Sequence, residues 1–152
     1  MEKHRLMEEE LLYAWMEMSL HIRGNRILTD FSFNEIMICG LLYRRQQNGL
    51  SPLTATELGA YTRLLKSQIN HILTSMEDRG LIRRERSRQD KRQVYVHLQE
   101  EAVPRYLEEH NKVLKIVDSV RLALGDEDTK TLTALMRKAT AVVNQPNQKE
   151  DL

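Results

Sequence analysis

Cysteine, aromatic residues and long apolar runs are all scarce in this chain. The single cysteine, Cys39, excludes an intramolecular disulfide and suits a reducing compartment, so the expected location is cytoplasmic. Aromatic residues make up 5% of the sequence, which leaves the core to Leu, Ile, Val and Met. No apolar run approaches the ~18 residues of a membrane span, and the acidic opening MEKHRLMEEELL does not suit a secretory signal, so no membrane partner is expected. Signatures of chemistry are missing too. There is no Gly-rich phosphate loop, no nucleophile elbow and no metal triad. The histidines His4, His21, His71, His97 and His110 contain no i, i+4 pair that could share a metal on a helix. These absences point to a protein that is not an enzyme and carries no cofactor and no metal. Internal repeats and low-complexity tracts are also absent.

What is present is an uneven distribution of charge. The 152 residues suit one domain, or one domain with a dimerisation extension, and carry a formal net charge of only +1. Acids crowd the ends, from Glu2 to Glu17 and again from Glu100 to Asp128, while the middle is basic. Between Arg83 and Arg92 lie Arg83, Arg84, Arg86, Arg88, Lys91 and Arg92 against only Glu85 and Asp90. One basic surface on an otherwise acidic body suggests an anionic partner.

Periodicity supplies the elements around that surface. Met7, Leu11, Trp15, Met18 and Ile22 recur at helical spacing and form one face of a first helix, ended by GNRIL. Ser32 and Glu35 make a capping box for a second helix reaching about Gln47, with Phe31 and Ile36 as its hydrophobic staple. Thr54 and Glu57 repeat the box for a short third helix, stapled by Leu53 and Leu58. A fourth helix covers roughly Leu65 to Arg79, with Gly80 placed as its left-handed terminator. Then the period changes. LIRRERS and QVYVHL alternate, predicting a two-stranded hairpin whose basic tip lacks Gly and therefore reads as a long flexible loop. From Val103, the residues Leu107, His110, Leu114, Val117 and Leu124 follow a seven-residue repeat, the mark of a helix–helix seam. Asp126 is expected to cap a last helix with Leu132, Leu135, Met136, Ala139 and Val143 on its apolar face. The terminal helices have more apolar surface than the small central unit can cover, which predicts a symmetric homodimer.

The central order of helix, short helix, turn, helix and basic hairpin is that of a winged helix-turn-helix, so the expected fold is mainly α with a small β-hairpin. On the fourth helix Lys66, Ser67, Gln68, Asn70 and His71 share the polar side, and no acid occurs from Arg63 to Ser75. Such a face suits base edges and phosphates: Asn and Gln can pair with adenine, and Lys with guanine or phosphate. The run from LTATELG through LLKSQIN to DRGLIRRERSRQDKRQVYVHL resembles the winged-helix core of the MarR family of bacterial and archaeal transcriptional regulators, over about Leu53 to Ala102. Asp90 and Arg92 match the family's Asp-x-Arg of the wing.

The resemblance implies a homodimer on double-stranded DNA at a pseudo-palindromic operator, acting as a repressor. Lys66, Ser67, Gln68, Asn70 and His71 would form the recognition helix contacts, and Arg84, Arg86, Arg88, Asp90, Lys91 and Arg92 the wing contacts. By the same likeness Arg92 would enter the minor groove and Asp90 would hold a nearby basic side chain. The chain divides on this reading into a winged lobe over 31–99, helical dimerisation segments over 1–30 and 100–145, and a flexible tail at 146–152. Two positions depart from the family pattern. Arg63 stands where Gly is usual in the turn, and Leu65 where Ser usually caps the helix, a loss of about 1 kcal/mol. Arg63 is thereby a further candidate for phosphate.

Other readings stand beside this one. A winged helix can be a protein-interaction module without DNA, and members of the family can respond to metals or oxidants. Cys39 lies in the apolar run IMICGLL and reads as core packing. Family members also bind small aromatic or lipophilic effectors between their lobes. Tyr13, Trp15, Met18 and Tyr43 could line such a pocket, although apolar stripes at this spacing more often form core.

Overall fold

The computed structural model describes residues 2–24 and 27–143. Helix α1 (Glu2–Gly24) is followed by α2 (Phe33–Gln47), strand β1 (Leu53–Thr54), α3 (Ala55–Thr62), α4 (Lys66–Asp78), strands β2 (Ile82–Arg86) and β3 (Val94–Leu98), a single 3-10 turn at Glu100–Ala102, α5 (Val103–Leu124) and α6 (Asp126–Val143). The expected break at GNRIL falls partly on residues outside those described, and the expected tail at 146–152 lies wholly outside them. None of the described helices is long and apolar enough to cross a membrane.

Both capping boxes form as expected. Glu35 N–H donates to Ser32 Oγ at 3.2 Å and Ser32 N–H to Glu35 Oε2 at 2.8 Å. Thr54 and Glu57 repeat the exchange at 2.7 and 3.1 Å. The staple residues Phe31, Ile36, Leu53 and Leu58 are all buried, so each box sets the angle at which the chain enters its helix. At the end of α4, Gly80 adopts φ 69°, and Leu81 N–H reaches back to Met76 O at 2.9 Å. This is a Schellman-type stop, and it turns the chain directly into β2.

The structure corrects several expectations. The sheet has three strands rather than two, in the order β1-β3-β2 and antiparallel throughout, with Leu53 opposite Val96 and Arg84 also opposite Val96. At two residues β1 is too short to show a period in the sequence, and its Thr54 doubles as the cap of α3. Asp126 is not a cap but the first residue of α6. Gly125, at φ 78°, makes the turn before it, and Asp126 accepts from Arg121 Nη1 at 3.0 Å. The wing tip is wound by its own side chains rather than left as an open loop: Ser87 Oγ accepts Gln89 N–H and Asp90 N–H at 3.2 and 3.1 Å, and Ser87 N–H reaches Gln93 O at 2.9 Å.

By contacts the chain forms two compact units, Met1–Lys112 and Val113–Leu152. The buried core belongs to the first, where Ile38, Leu58, Leu73, Met76, Leu81, Ile82 and Val96 are fully enclosed. The start of α5 closes this core through Tyr106, which lies 5.4 Å from the Tyr43 ring and against α2 at Gly40. A Cβ at Gly40 would stand 3.2 Å from the Tyr106 hydroxyl, so glycine there permits the close approach.

Candidate nucleic-acid interface

The helix-turn-helix is α3, a turn at 63–65, and α4. Arg63 holds the left-handed conformation at φ 55°, a conformation that glycine adopts without cost. Leu64 packs against the core while Leu65 points away from it and forms the N-cap of α4. Leucine has no acceptor to offer the helix, and half of the cap is supplied from inside instead: Leu65 N–H donates to Gln68 Oε1 at 2.9 Å. The helix therefore begins at Lys66, one residue later than expected.

The apolar side of α4, with Ile69, Leu73 and Met76, is buried in the core. Lys66, Ser67, Gln68, Asn70 and His71 are all exposed, and the first turn of α4 contains no acid. Five residues of differing chemistry are thus brought onto one open side by the burial of the other.

Two ion-paired ties fix where this helix points. At its end, Glu77 takes three hydrogen bonds from one residue of β2: Arg84 N–H at 2.8 Å, Nε at 2.9 Å and Nη2 at 2.7 Å. The Arg84 side-chain and backbone donors hold the Glu77 carboxyl below its ordinary range. Arg84, expected on the sequence among the DNA contacts, is thus placed as a brace between helix and wing. Just past α4, Arg79 Nη1 donates to Glu35 Oε1 at 2.8 Å, and Nη2 to the Asp30 carbonyl. Arg105 of α5 grips Asp30 Oδ2 at 2.7 and 3.0 Å, and both guanidiniums lie within 6 Å of the Phe31 ring centre, at 5.7 and 5.9 Å. Glu109, buried further along α5, accepts Thr29 N–H and Thr29 Oγ1 at 2.9 Å each and pairs with Lys112. Burial pushes its carboxyl up, but the donors from Lys112, Thr29 and Asp30 outweigh burial and hold it below the ordinary value. None of these partners shows in periodicity. The signal that could have found them is Glu77 seven residues before Arg84, across a helix stop.

On the wing, Arg86, Arg88, Lys91 and Arg92 are exposed, and none is ion-paired among the described residues. Arg83 is occupied by Glu85 at 2.9 Å. Asp90 does not hold a basic side chain: its Oδ1 accepts the backbone N–H of Arg92 at 3.0 Å, and its carbonyl accepts Gln93 N–H at 2.9 Å. Its part is to shape the tip that presents the Arg92 side chain outward.

The remaining candidates lie elsewhere. Cys39 is fully buried, and burial, then the nearby Glu35, push its thiol up to about 12, the reverse of what a reactive thiolate needs. No group of three metal-ligating side chains is gathered among the described residues. Tyr13, Trp15 and Met18 are exposed on α1, while Tyr43 is half-buried against Tyr106.

A short helix, a left-handed turn, a helix with one open polar side and a basic hairpin define a winged helix-turn-helix protein. Residues 30–93 match the model of the MarR family. Among solved structures, the S. aureus MepR–DNA complex is similar over 90% of this chain and 98% of that one, at TM-score 0.72 and 17% identity. A MarR family protein from Bacillus stearothermophilus is similar over 95% and 99%, at TM-score 0.70 and 22% identity. The PcaV transcriptional regulator from Streptomyces coelicolor, solved with its natural ligand, is similar over 88% and 92%, at TM-score 0.70 and 15% identity. At such identities the likeness is one of fold. No curated protein matches the chain. Residues 30–93 are thus similar to the MarR family, on a chain whose fold is that of the MarR-type winged-helix structures.

Proposed function

We propose that the protein is a repressor that binds a pseudo-palindromic operator as a homodimer and is released by a small aromatic or lipophilic effector. The observation that carries this reading is the pairing, within one compact unit, of an open α4 side whose first turn carries no acid with a basic wing tip not ion-paired among the described residues, joined through Glu77 and Arg84. Lys66, Ser67, Gln68, Asn70 and His71 approach base edges in the major groove. Arg86, Arg88 and Lys91 contact phosphate, and Arg92 reaches the minor groove, where negative potential favours a guanidinium. Residues 31–99 act as the DNA lobe, and 1–30 with 100–145 as the dimerisation lobe.

Dimerisation is supported by the apolar residues left open on α1, among them Leu6, Leu11, Trp15 and Ile22. Two recognition helices on one side of a duplex require half-sites about one helical turn, roughly 10 bp, apart. The effector is supported by likeness alone, since PcaV was solved with its natural ligand. Control by an effector is supported by the ties from Arg79 through Asp30 to Arg105, which would carry a shift of the start of α5 to the end of α4.

The test is an anisotropy titration of the full chain with duplexes selected from a random pool. Arg92→Ala is expected to lower affinity about tenfold and to leave the circular dichroism unchanged, as loss of a groove contact worth roughly 1–3 kcal/mol requires. Unchanged affinity would remove the wing tip from the mechanism.

A further inference from the structure

We propose that the first turn of α4 reads two specific groups in the major groove: a thymine methyl with Leu65 and an acceptor-only base edge, that of guanine, with the amide nitrogen of Gln68. The inference rests on the DNA-binding reading above and gives it a base preference.

Leu65 is 70% exposed, while its neighbour Leu64 turns into the core. A polar N-cap at this position would stabilise the helix by about 1 kcal/mol, so an open leucine there is unfavourable in the free protein on two counts, the missing cap and the wetted side chain. It gains only when something apolar covers it. In a major groove the apolar group on offer is the C5 methyl of thymine.

Gln68 is constrained by the same arrangement. A backbone N–H can only donate, so the atom facing Leu65 N–H at 2.9 Å is the amide oxygen. That leaves the NH2 group as the end Gln68 presents outward. Pairing with adenine would ask the same oxygen to accept N6–H through its second lone pair while the NH2 group donates to N7, a demand that guanine does not make. Guanine shows N7 and O6, both acceptors, and takes a donor alone. Lys66, exposed in the same turn, also brings only donors, and no carboxylate is present there to accept from adenine or cytosine.

The test uses base analogues, so that the wild-type chain alone can decide it. Each thymine of the selected half-site is replaced in turn by deoxyuridine, which removes only the methyl. Each guanine is replaced by 7-deazaguanine, which removes only the N7 acceptor. A uridine substitution in one half-site is expected to weaken wild-type binding about fourfold, the worth of one buried methyl. One deazaguanine is expected to weaken it about tenfold. Leu65→Ser, which can cap α4 itself, should be indifferent to the uridine. Gln68→Glu, which keeps the acceptor for Leu65 N–H but loses the donor, should be indifferent to the deazaguanine. Wild-type indifference to every uridine and every deazaguanine would overturn the proposal, as would equal sensitivity in the variants. Sensitivity to 7-deazaadenine in place of 7-deazaguanine would also overturn it. A pool that yields no preferred sequence would refute the DNA-reading function itself, a different and recognisable failure.

Discussion

Helices α4 and α6 are both strongly two-sided, yet the chain treats them in opposite ways. The apolar residues of α4, Ile69, Leu73 and Met76, are enclosed by its own unit. Those of α6, Leu132, Leu135, Met136, Val142 and Val143, are 37% to 65% exposed, and no described residue of α6 is buried. An amphipathic helix gains most of its stability from covering its apolar side. By that measure α4 is stabilised within its unit, whereas the apolar surface of α6 stays open among the described residues. In the proposed dimer a second copy covers it. The polar side of α4, by contrast, is open because burial of the other side forces it open, which leaves it available to a duplex.

The largest effect should separate these two helices directly. Leu73→Ala is expected to cost about 2–5 kcal/mol of unfolding free energy, read by urea denaturation, because it empties a fully enclosed site. Leu135→Glu, at a position 58% exposed, should change the urea midpoint of the winged unit by less than about 0.5 kcal/mol. Its effect should appear instead in sedimentation, as monomers, and in operator affinity, lowered about 100-fold by loss of the second half-site contact. A Leu135→Glu chain that stays dimeric would erase the contrast.

A smaller effect belongs to the brace. Glu77→Gln and Arg84→Ala should each cost up to about 1 kcal/mol of stability, since the pair is partly exposed. The pair should couple in a double-mutant cycle. Weakened operator binding in both, without a change in the slope against salt, would mark Arg84 as a positioning residue rather than a phosphate contact.

Much of the winged unit was legible because its punctuation is local. Ser32 with Glu35, Thr54 with Glu57, and Gly80 each act within a few residues, and each appears where the pattern placed it. What escaped notice acts at longer range or against residue type. Strand β1 exists only because β3 lies beside it. Arg79 meets Glu35 across 44 positions and Glu109 meets Thr29 across 80. At Leu65 the residue type argued against a cap, and the compensation came from Gln68, whose own side chain looked like a contact for DNA. Arg84 shows the same ambiguity: a run of arginines does not say which of them is already engaged.

Relief of the turn comes next in size. Arg63→Gly should raise stability by up to about 1 kcal/mol, because glycine adopts φ 55° without the Cβ penalty. A lowered midpoint would mean that the arginine side chain contributes more than its backbone costs. The smallest expected effect is in the wing. Burial, then the neighbouring Arg83, hold His97 below its ordinary value of 6.5, against the opposing pull of Glu85. The unfolded chain therefore takes up this proton first, and stability falls slightly as pH drops below 6.5, until the folded His97 is protonated as well. Urea midpoints at about pH 7.5 and pH 5.5 should differ less in His97→Gln than in the wild type, by the share that this group supplies.

The most direct test of the central claim is the stoichiometry of the full chain on its selected duplex, measured by sedimentation while the distance between half-sites is varied. The account predicts two chains per duplex, bound tightly only when the half-site centres lie roughly 10 bp apart, with affinity falling steeply as salt is raised. One chain per duplex, or tight binding that ignores the spacing, would contradict it.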